Sequence, residues 1–143
     1  MIARLIASGA LAGALLLSGC GKKAGEIEGV SGKDISAKSS VDDLSEAYVN
    51  EFDRIATALE SIHDEASAKA AAKDIKKSAD GLEAMTEVLD GKQNDLIAMQ
   101  AFARKLPELS ATQQRISKEM SRLYSENPEL AELVGDEINR LSK

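Results

Sequence analysis

From Leu44 onward, apolar side chains recur at intervals of three and four residues, and this spacing constrains the fold more than any other feature. A helix of 3.6 residues per turn places such positions on one face, whereas a strand requires alternation in twos. No segment alternates in this way, and the β-branched residues are scattered. The pattern therefore predicts an all-α fold.

Cap signals bound the first two helices. Ser40 is followed three residues later by Asp43, an arrangement typical of a capping box at a helix start. Asp64 offers a second cap, and Asp90-Gly91 ends the second pattern. The predicted buried positions of the first helix are Leu44, Tyr48, Phe52, Ile55, Leu59 and Ile62, and those of the second are Ala68, Ala71, Ile75, Ala79, Leu82, Met85 and Leu89.

A third apolar stripe continues in phase across Pro107, where we expect a kink rather than a break because proline removes one backbone donor. Asn127-Pro128 then resembles a cap with proline at the first helical position, which predicts a short fourth helix. The third stripe comprises Leu96, Met99, Ala103, Leu106, Leu109, Gln113, Ile116, Met120 and Leu123. The fourth comprises Leu130, Leu133 or Val134, Ile138 and Leu141.

The connections between these helices are short, which makes sequential helices antiparallel neighbours. The predicted body, residues 40–143, is an antiparallel up-down bundle of three long helices and a short C-terminal one. We expect the acidic fourth helix to fold back against a basic stripe on the third, formed by Arg115, Lys118 and Arg122.

Large apolar residues are scarce in this body. Leu, Ile, Val and Phe account for 26 of the 123 residues after Cys20, close to the ~20% below which a charged chain is disordered. Such a sequence fills only a narrow seam between helices. Self-association or a partner helix would help to complete the core.

The N-terminus has the composition of an export signal. A positive start that includes Arg4 precedes an apolar run of 13 residues, Leu5 to Leu17, which is typical of a secretory signal peptide over residues 1–19. The run is too short to span a bilayer, for which about 20 residues are needed.

Leu17-Ser18-Gly19-Cys20 resembles the lipobox of bacterial lipoproteins. The resemblance implies cleavage before Cys20, a diacylglycerol on its thiol and often an acyl chain on its amine. Several acyl chains give durable membrane attachment at ~0.8 kcal/mol per buried methylene. The lipobox resemblance also implies that the protein lies on the extracytoplasmic side of a bacterial membrane. Gly21 is not the Asp that retains enteric members in the inner membrane, so the outer membrane is favoured where there are two.

Residues 20–39 combine the lipidated cysteine with a stretch rich in Gly and Ser, and isolated apolar residues follow no period. This composition predicts a flexible linker between anchor and bundle. Lys22 and Lys23 would either contact anionic headgroups or remain solvated.

The remaining composition argues against most chemistry. Without the signal the chain has 17 basic and 24 acidic side chains, which disfavours nucleic-acid binding. Glu60 and His63 match half of a di-iron motif, but His63 is the only histidine, so a position at the helix end is the alternative. We therefore predict a non-catalytic protein with no metal and no cofactor.

Four lysines lie along one side of the second helix: Lys69, Lys73, Lys76 and Lys77. They form either a patch for anionic ligands or a solvated face paired with acids such as Asp53 and Glu60.

The best interpretation is a membrane-anchored envelope lipoprotein that binds a protein partner or serves a structural role. An alternative follows from the terminal Lys143, because the chain resembles the Braun's lipoprotein family, in which a C-terminal lysine is joined to peptidoglycan. The body of that family is an unbroken heptad rod, whereas this sequence is interrupted at Gly81, Pro107 and Asn127-Pro128.

Overall fold

A computed structural model describes residues 29–92 and 95–141 and contains four α-helices over that part of the chain. They are α1 (Val41–Glu60), α2 (Glu65–Asp90), α3 (Leu96–Glu126) and α4 (Pro128–Arg140), preceded by a single 3-10 turn, Gly32–Asp34. The prediction of an all-helical bundle with three long helices and a short fourth is confirmed. No described helix is both long enough and apolar enough to cross a bilayer.

The predicted cap residues lie at the starts of the first two helices. The Ser40 side chain accepts a hydrogen bond from the Asp43 N–H at 3.0 Å and begins α1. Asp64 begins α2 with a reciprocal capping box: its carboxylate accepts from the Ser67 N–H at 2.7 Å, and its own N–H donates to Ser67 Oγ at 2.9 Å. These bonds satisfy backbone donors that a helix start leaves unpaired.

The four helices form two hairpins that lie side by side. Arg104 pairs with Asp42 and Arg115 pairs with Asp53, both across a separation of 62 residues, so α3 runs parallel to α1. Arg140 of α4 pairs with Asp80 of α2, and α4 runs parallel to α2. Both hairpin turns therefore lie at one end of the bundle, called here the turn end, and the starts of α1 and α3 lie at the open end.

The neighbour relations differ from the expectation that all sequential helices pack together. Within the described residues the backbones of α2 and α3 do not approach each other closely, and both helices pack on α1. Of the predicted stripe of α1, Leu44, Ile55 and Leu59 are buried, whereas Tyr48 and Phe52 are only half-buried. The helix also buries small residues such as Ala47, Ala56 and Ala58. Small side chains allow helices to approach α1 from more than one side.

Two apolar clusters form the core. The larger lies at the turn end, where Leu59 of α1, Ile75 of α2, Leu123 of α3 and Val134 of α4 are fully buried together. The smaller lies at the open end around Leu44 and Met85. With 13 residues against 26 in α2, α4 spans about 20 Å of a bundle about twice as long, at 1.5 Å per residue. It completes only the turn-end half.

The helical unit begins earlier than the predicted boundary at residue 40. The segment comprising residues 29–36, called here the strap, packs on α1 and α2 through Val30 and Ile35. Gly32 is buried, and a Cβ at its position would overlap the carbonyl oxygen of Gly81. The composition indicated a flexible linker, but this glycine allows a close approach of two backbones.

A buried carboxylate holds the strap. Glu51 of α1 accepts hydrogen bonds from the Gly32 N–H at 2.7 Å and from the Ser31 hydroxyl at 2.8 Å. The Arg54 guanidinium lies 3.1 Å from the same carboxylate oxygen. Glu51 is only 2% exposed, so these donors replace the water that it would otherwise bind.

The fourth helix does not dock as predicted. Arg115 hydrogen bonds to Asp53 and Glu60 of α1, and Arg122 pairs with Glu119, so the expected pairing with acids of α4 is wrong for both arginines. Acids of α1 lie closer to Arg115 because α3 packs along α1. The apolar face of α4, with Ala131 and Val134 fully buried, docks the helix instead.

Candidate functional site

The most prominent surface feature is an apolar groove between α2 and α3 at the open end, where α4 stops short. Its floor is formed by Tyr48 and Phe52 of α1. It consists of two adjoining cavities of about 540 and 420 Å³ that share Tyr48 and Leu89. The remaining apolar lining includes Ala79 and Leu82 of α2, Ala98, Met99, Phe102 and Leu109 of α3, and Leu141 after α4.

Aromatic contacts shape the floor. The ring of Tyr48 lies 5.2 Å from that of Phe52 and 5.7 Å from that of Phe102, the second pair in an edge-to-face arrangement. Such pairs hold ring positions beyond what burial alone contributes. Burial raises the pKa of the Tyr48 hydroxyl, so this group is neutral at physiological pH.

Beside the groove, α3 presents a row of outward-facing residues, called here the α3 ridge: Leu96, Met99, Ala103 and Leu106. Leu96 is 71% exposed, Met99 59% and Leu106 58%. We predicted that all four would be buried in the core, and this prediction is wrong for the first half of the third stripe. Among the described residues no helix lies opposite these side chains, because α4 ends before this level, and Ala98 and Ala101 are the buried residues of this half.

From Ile116 onward the same stripe behaves as predicted, whereas Gln113 is exposed. Ile116 and Met120 pack against the turn-end cluster, and Leu123 is fully buried. The difference between the halves follows the length of α4. One continuous apolar stripe on α3 thus meets a partner helix over only part of its length.

Charged groups mark the two ends of the groove. Where α4 ends, Arg140 lies 3.1 Å from both Asp80 and Glu83 of α2. At the open end lie Lys92 and the start of α3, where the Asp95 carboxylate accepts the Ile97 N–H at 2.8 Å. Between these ends the lining is apolar apart from Thr86 and the Tyr48 hydroxyl.

The residues considered for metal chemistry do not come together. Glu60 is engaged by Arg115 at 2.8 Å. His63 is exposed just beyond the end of α1, with Nδ1 2.8 Å from the Ser61 carbonyl oxygen and Nε2 3.5 Å from Asp64. Within residues 29–92 and 95–141 no group of three or more His, Cys, Asp or Glu side chains could hold a metal ion.

The four lysines of α2 are exposed, and three of them pair with acids of their own helix. Lys69 pairs with Glu65, Lys76 with Asp80 and Lys77 with Asp74. The suggested partners on α1, Asp53 and Glu60, bind Arg115 instead. Pairs spaced three or four residues apart on an exposed helix face contribute only a few tenths of a kcal/mol.

The two modification sites predicted from the sequence, Cys20 and Lys143, lie outside the described residues. The same holds for the signal peptide and for Lys22 and Lys23. Their assignments remain predictions from sequence.

Comparison with known proteins gave no match among protein-family models, curated proteins or solved structures.

Sequence reasoning missed both the groove and the buried Glu51. The signal for the groove was present, because the fourth stripe is much shorter than the third, which leaves part of α3 without a partner. For Glu51 no such signal exists. One more acid in an acidic helix looks like a solvated residue until the strap that covers it is known.

Proposed function

We propose that this protein is a lipid-anchored lipoprotein of the bacterial envelope whose helical body, without catalytic activity, binds a helix in the groove between α2 and α3. The observation that carries the binding role is the uncovered groove together with the α3 ridge. Contiguous apolar surface of this kind is typical of sites where a protein meets a partner.

The groove suits a helix better than a small molecule. It is open along its length, and its walls are two helices in the arrangement that accepts a third apolar helix face. Full burial of a Leu or Met side chain contributes about 1.5–3 kcal/mol. Covering the three large ridge side chains would therefore supply several kcal/mol toward binding.

Membrane anchoring is supported by the sequence Leu17-Ser18-Gly19-Cys20 and by the apolar run before it. Replacement of Cys20 by Ser removes the thiol that would carry the diacylglycerol. We expect C20S to remain unlipidated and uncut, as measured by intact mass and by incorporation of labelled fatty acid in bacterial cells.

The matched control is Ser18→Ala, which keeps a small residue before the proposed cleavage site and should mature normally. A C20S chain that is still processed and labelled would overturn the proposed anchoring.

A further inference from the structure

We propose that the groove is occupied by the α3 ridge of a second copy of this chain, in a twofold dimer with antiparallel α3 helices. This proposal rests on the proposed function and names the partner helix that it requires. The inference is carried by shape, by charge at the groove ends and by register.

The shape is self-complementary. Ridge and groove lie next to each other on the same face, because the ridge belongs to the helix that forms one wall of the groove. A twofold axis across α3 places the ridge of each copy over the groove of the other. Such an isologous contact buries both ridges at once and closes the assembly at two copies.

The direction of the helices also fits. In this arrangement the α3 of the second copy runs parallel to α4 and begins where α4 ends, so the two helices together fill the groove along the bundle. The positive N-terminal end of the second copy's α3 then meets the negative C-terminal end of α4, which is favourable for helix dipoles. Arg140 already pairs with Asp80, Glu83 and Glu137, so the helix ends and not this side chain supply the favourable charge.

The register follows from contacts within one copy. Arg140 is level with Asp80, the adjacent Gly81 lies against Glu51, and α1 pairs with α3 at an offset of 62 residues. The end of α4 is therefore level with Gln113. If the α3 of the second copy begins about one turn beyond the end of α4, its Leu96 lies opposite residue 110 or so of the first copy. In an antiparallel pair the midpoint of these two positions, Ala103, then lies at the twofold axis.

The first test compares two lysine substitutions on the same turn of α3 in the full chain. Met99 faces the groove and is 59% exposed, while Ile97 faces away and is 66% exposed. We expect the wild type and I97K to sediment as dimers in mild detergent, and M99K to dimerise at least tenfold more weakly. Both side chains are exposed, so the folded helix content measured by circular dichroism should not change.

A monomeric wild type at tens of micromolar, or equal dimerisation of M99K and I97K, would overturn the proposal. Loss of dimerisation in both variants would also count against it, since Ile97 lies outside the proposed interface.

The second test uses disulfide crosslinking in native membranes to determine the register between the α3 helices of two copies. A cysteine introduced by Ala103→Cys should form a disulfide between two copies under mild oxidation. The matched control is Ala111→Cys, since Ala111 is also an exposed alanine of α3 and lies two turns, about 12 Å, farther along the helix. In the proposed register the two copies of residue 111 lie on opposite sides of the axis and about twice that distance apart, so A111C should not crosslink.

The wild-type chain, which carries only Cys20, reports any disulfide formed at that position. Crosslinking of A103C to a product of another mass, or equal crosslinking of A111C, would contradict the second copy as occupant in this register.

These outcomes separate the two proposals. Dimerisation measured in detergent does not depend on lipid at Cys20, and maturation of C20S does not depend on the groove. An anchored protein that fails both dimer tests would keep its proposed location and lose its proposed partner.

Discussion

Glu51 shows how one buried charge organises its surroundings. Its carboxylate receives a backbone N–H and a hydroxyl from the strap, and an arginine from its own helix. A buried ion without such donors would be unstable. The charge therefore requires the strap to be in place, and the strap requires glycine at positions 32 and 81 so that it can reach the carboxylate.

Gly81 provides a test of this close packing. A Cβ at this position would lie 2.6 Å from Oε1 of Glu51, and the buried carboxylate has little room to move. We expect Gly81→Ala to lower the free energy of unfolding by about 1–3 kcal/mol, the usual range for overpacking. Urea unfolding measures this change.

Gly135 is the matched control, because it is also helical but a methyl group added to its Cα would have no neighbouring atom within 4 Å. Gly135→Ala should raise the free energy of unfolding by about 0.5–1 kcal/mol, through the better helix propensity of alanine. A stabilising Gly81→Ala would show that the strap is not tightly packed.

Glu60 and Arg115 predict a dependence of stability on pH. Hydrogen bonding to Arg115 holds the pKa of the Glu60 carboxyl below its ordinary value. Ionised Glu60 thus stabilises the folded state above the ordinary glutamate pKa of about 4.3, and this contribution is lost as the pH falls through the lower folded-state pKa.

We expect Arg115→Gln to lower stability at pH 7 by about 1 kcal/mol, as for a partly exposed charge network. The difference from the wild type should shrink steadily as the pH approaches 2–3. Urea unfolding across this range measures the difference. A gap that stays constant with pH would assign the effect of Arg115 to packing rather than to charge.

At the scale of the elements, α4 is held by its apolar face. Val134 and Ala131 are fully buried, whereas Lys118 is exposed on α3. We expect Val134→Ala to speed amide exchange throughout α4, because removing buried methyl groups costs roughly 1 kcal/mol or more each.

Lys118→Glu tests the charge pairing that the sequence suggested. It should leave exchange in α4 unchanged, since the acids of α4 do not depend on it. Faster amide exchange of α4 in Lys118→Glu than in Val134→Ala would instead support the predicted docking of α4 through charge.

The helix α3 carries its proline at an exposed position. Pro107 lies within the continuous helix and removes the hydrogen bond that its N–H would make to residue 103. We expect Pro107→Ala to stabilise the protein by about 1–2 kcal/mol, a gain near 3 kcal/mol in the helix reduced by the greater freedom of the unfolded chain. Thermal unfolding measures the gain, and a loss would mean that the proline shapes α3 for its packing on α1.

For the whole molecule, the strap makes the folded unit longer than the helices alone. Removing residues 1–28 should leave the free energy of unfolding within about 0.5 kcal/mol. Removing residues 1–39 should lower it by about 1–3 kcal/mol, because Val30 and Ile35 no longer pack on the helices and Glu51 loses two hydrogen-bond donors. Chemical denaturation of the two shortened chains measures the difference. Equal stability of the two chains would contradict the role of the strap.

Much of this architecture could be predicted because helix periodicity and capping are local. Ser40, Asp64 and Asn127-Pro128 lie at the predicted helix starts. Neighbour relations are not local. The contact of α3 with α1 joins Arg104 and Arg115 to acids 62 residues earlier, and the strap depends on Gly81, some fifty residues away. The groove could be predicted in part, since it follows from the unequal lengths of α3 and α4.

The strap also determines how the folded chain bears mechanical load. The first described residue is Gly29, whose carbonyl oxygen accepts a hydrogen bond from Arg54 of α1 at 3.2 Å. A pull on the N-terminus is therefore applied at the waist of the bundle rather than at a helix end. The hydrogen bond from Arg54 to the Gly29 carbonyl lies first in its path, followed by the bond from Asn50 to the Val30 carbonyl and the two bonds to Glu51. These bonds would yield one after the other as the strap peels from α1.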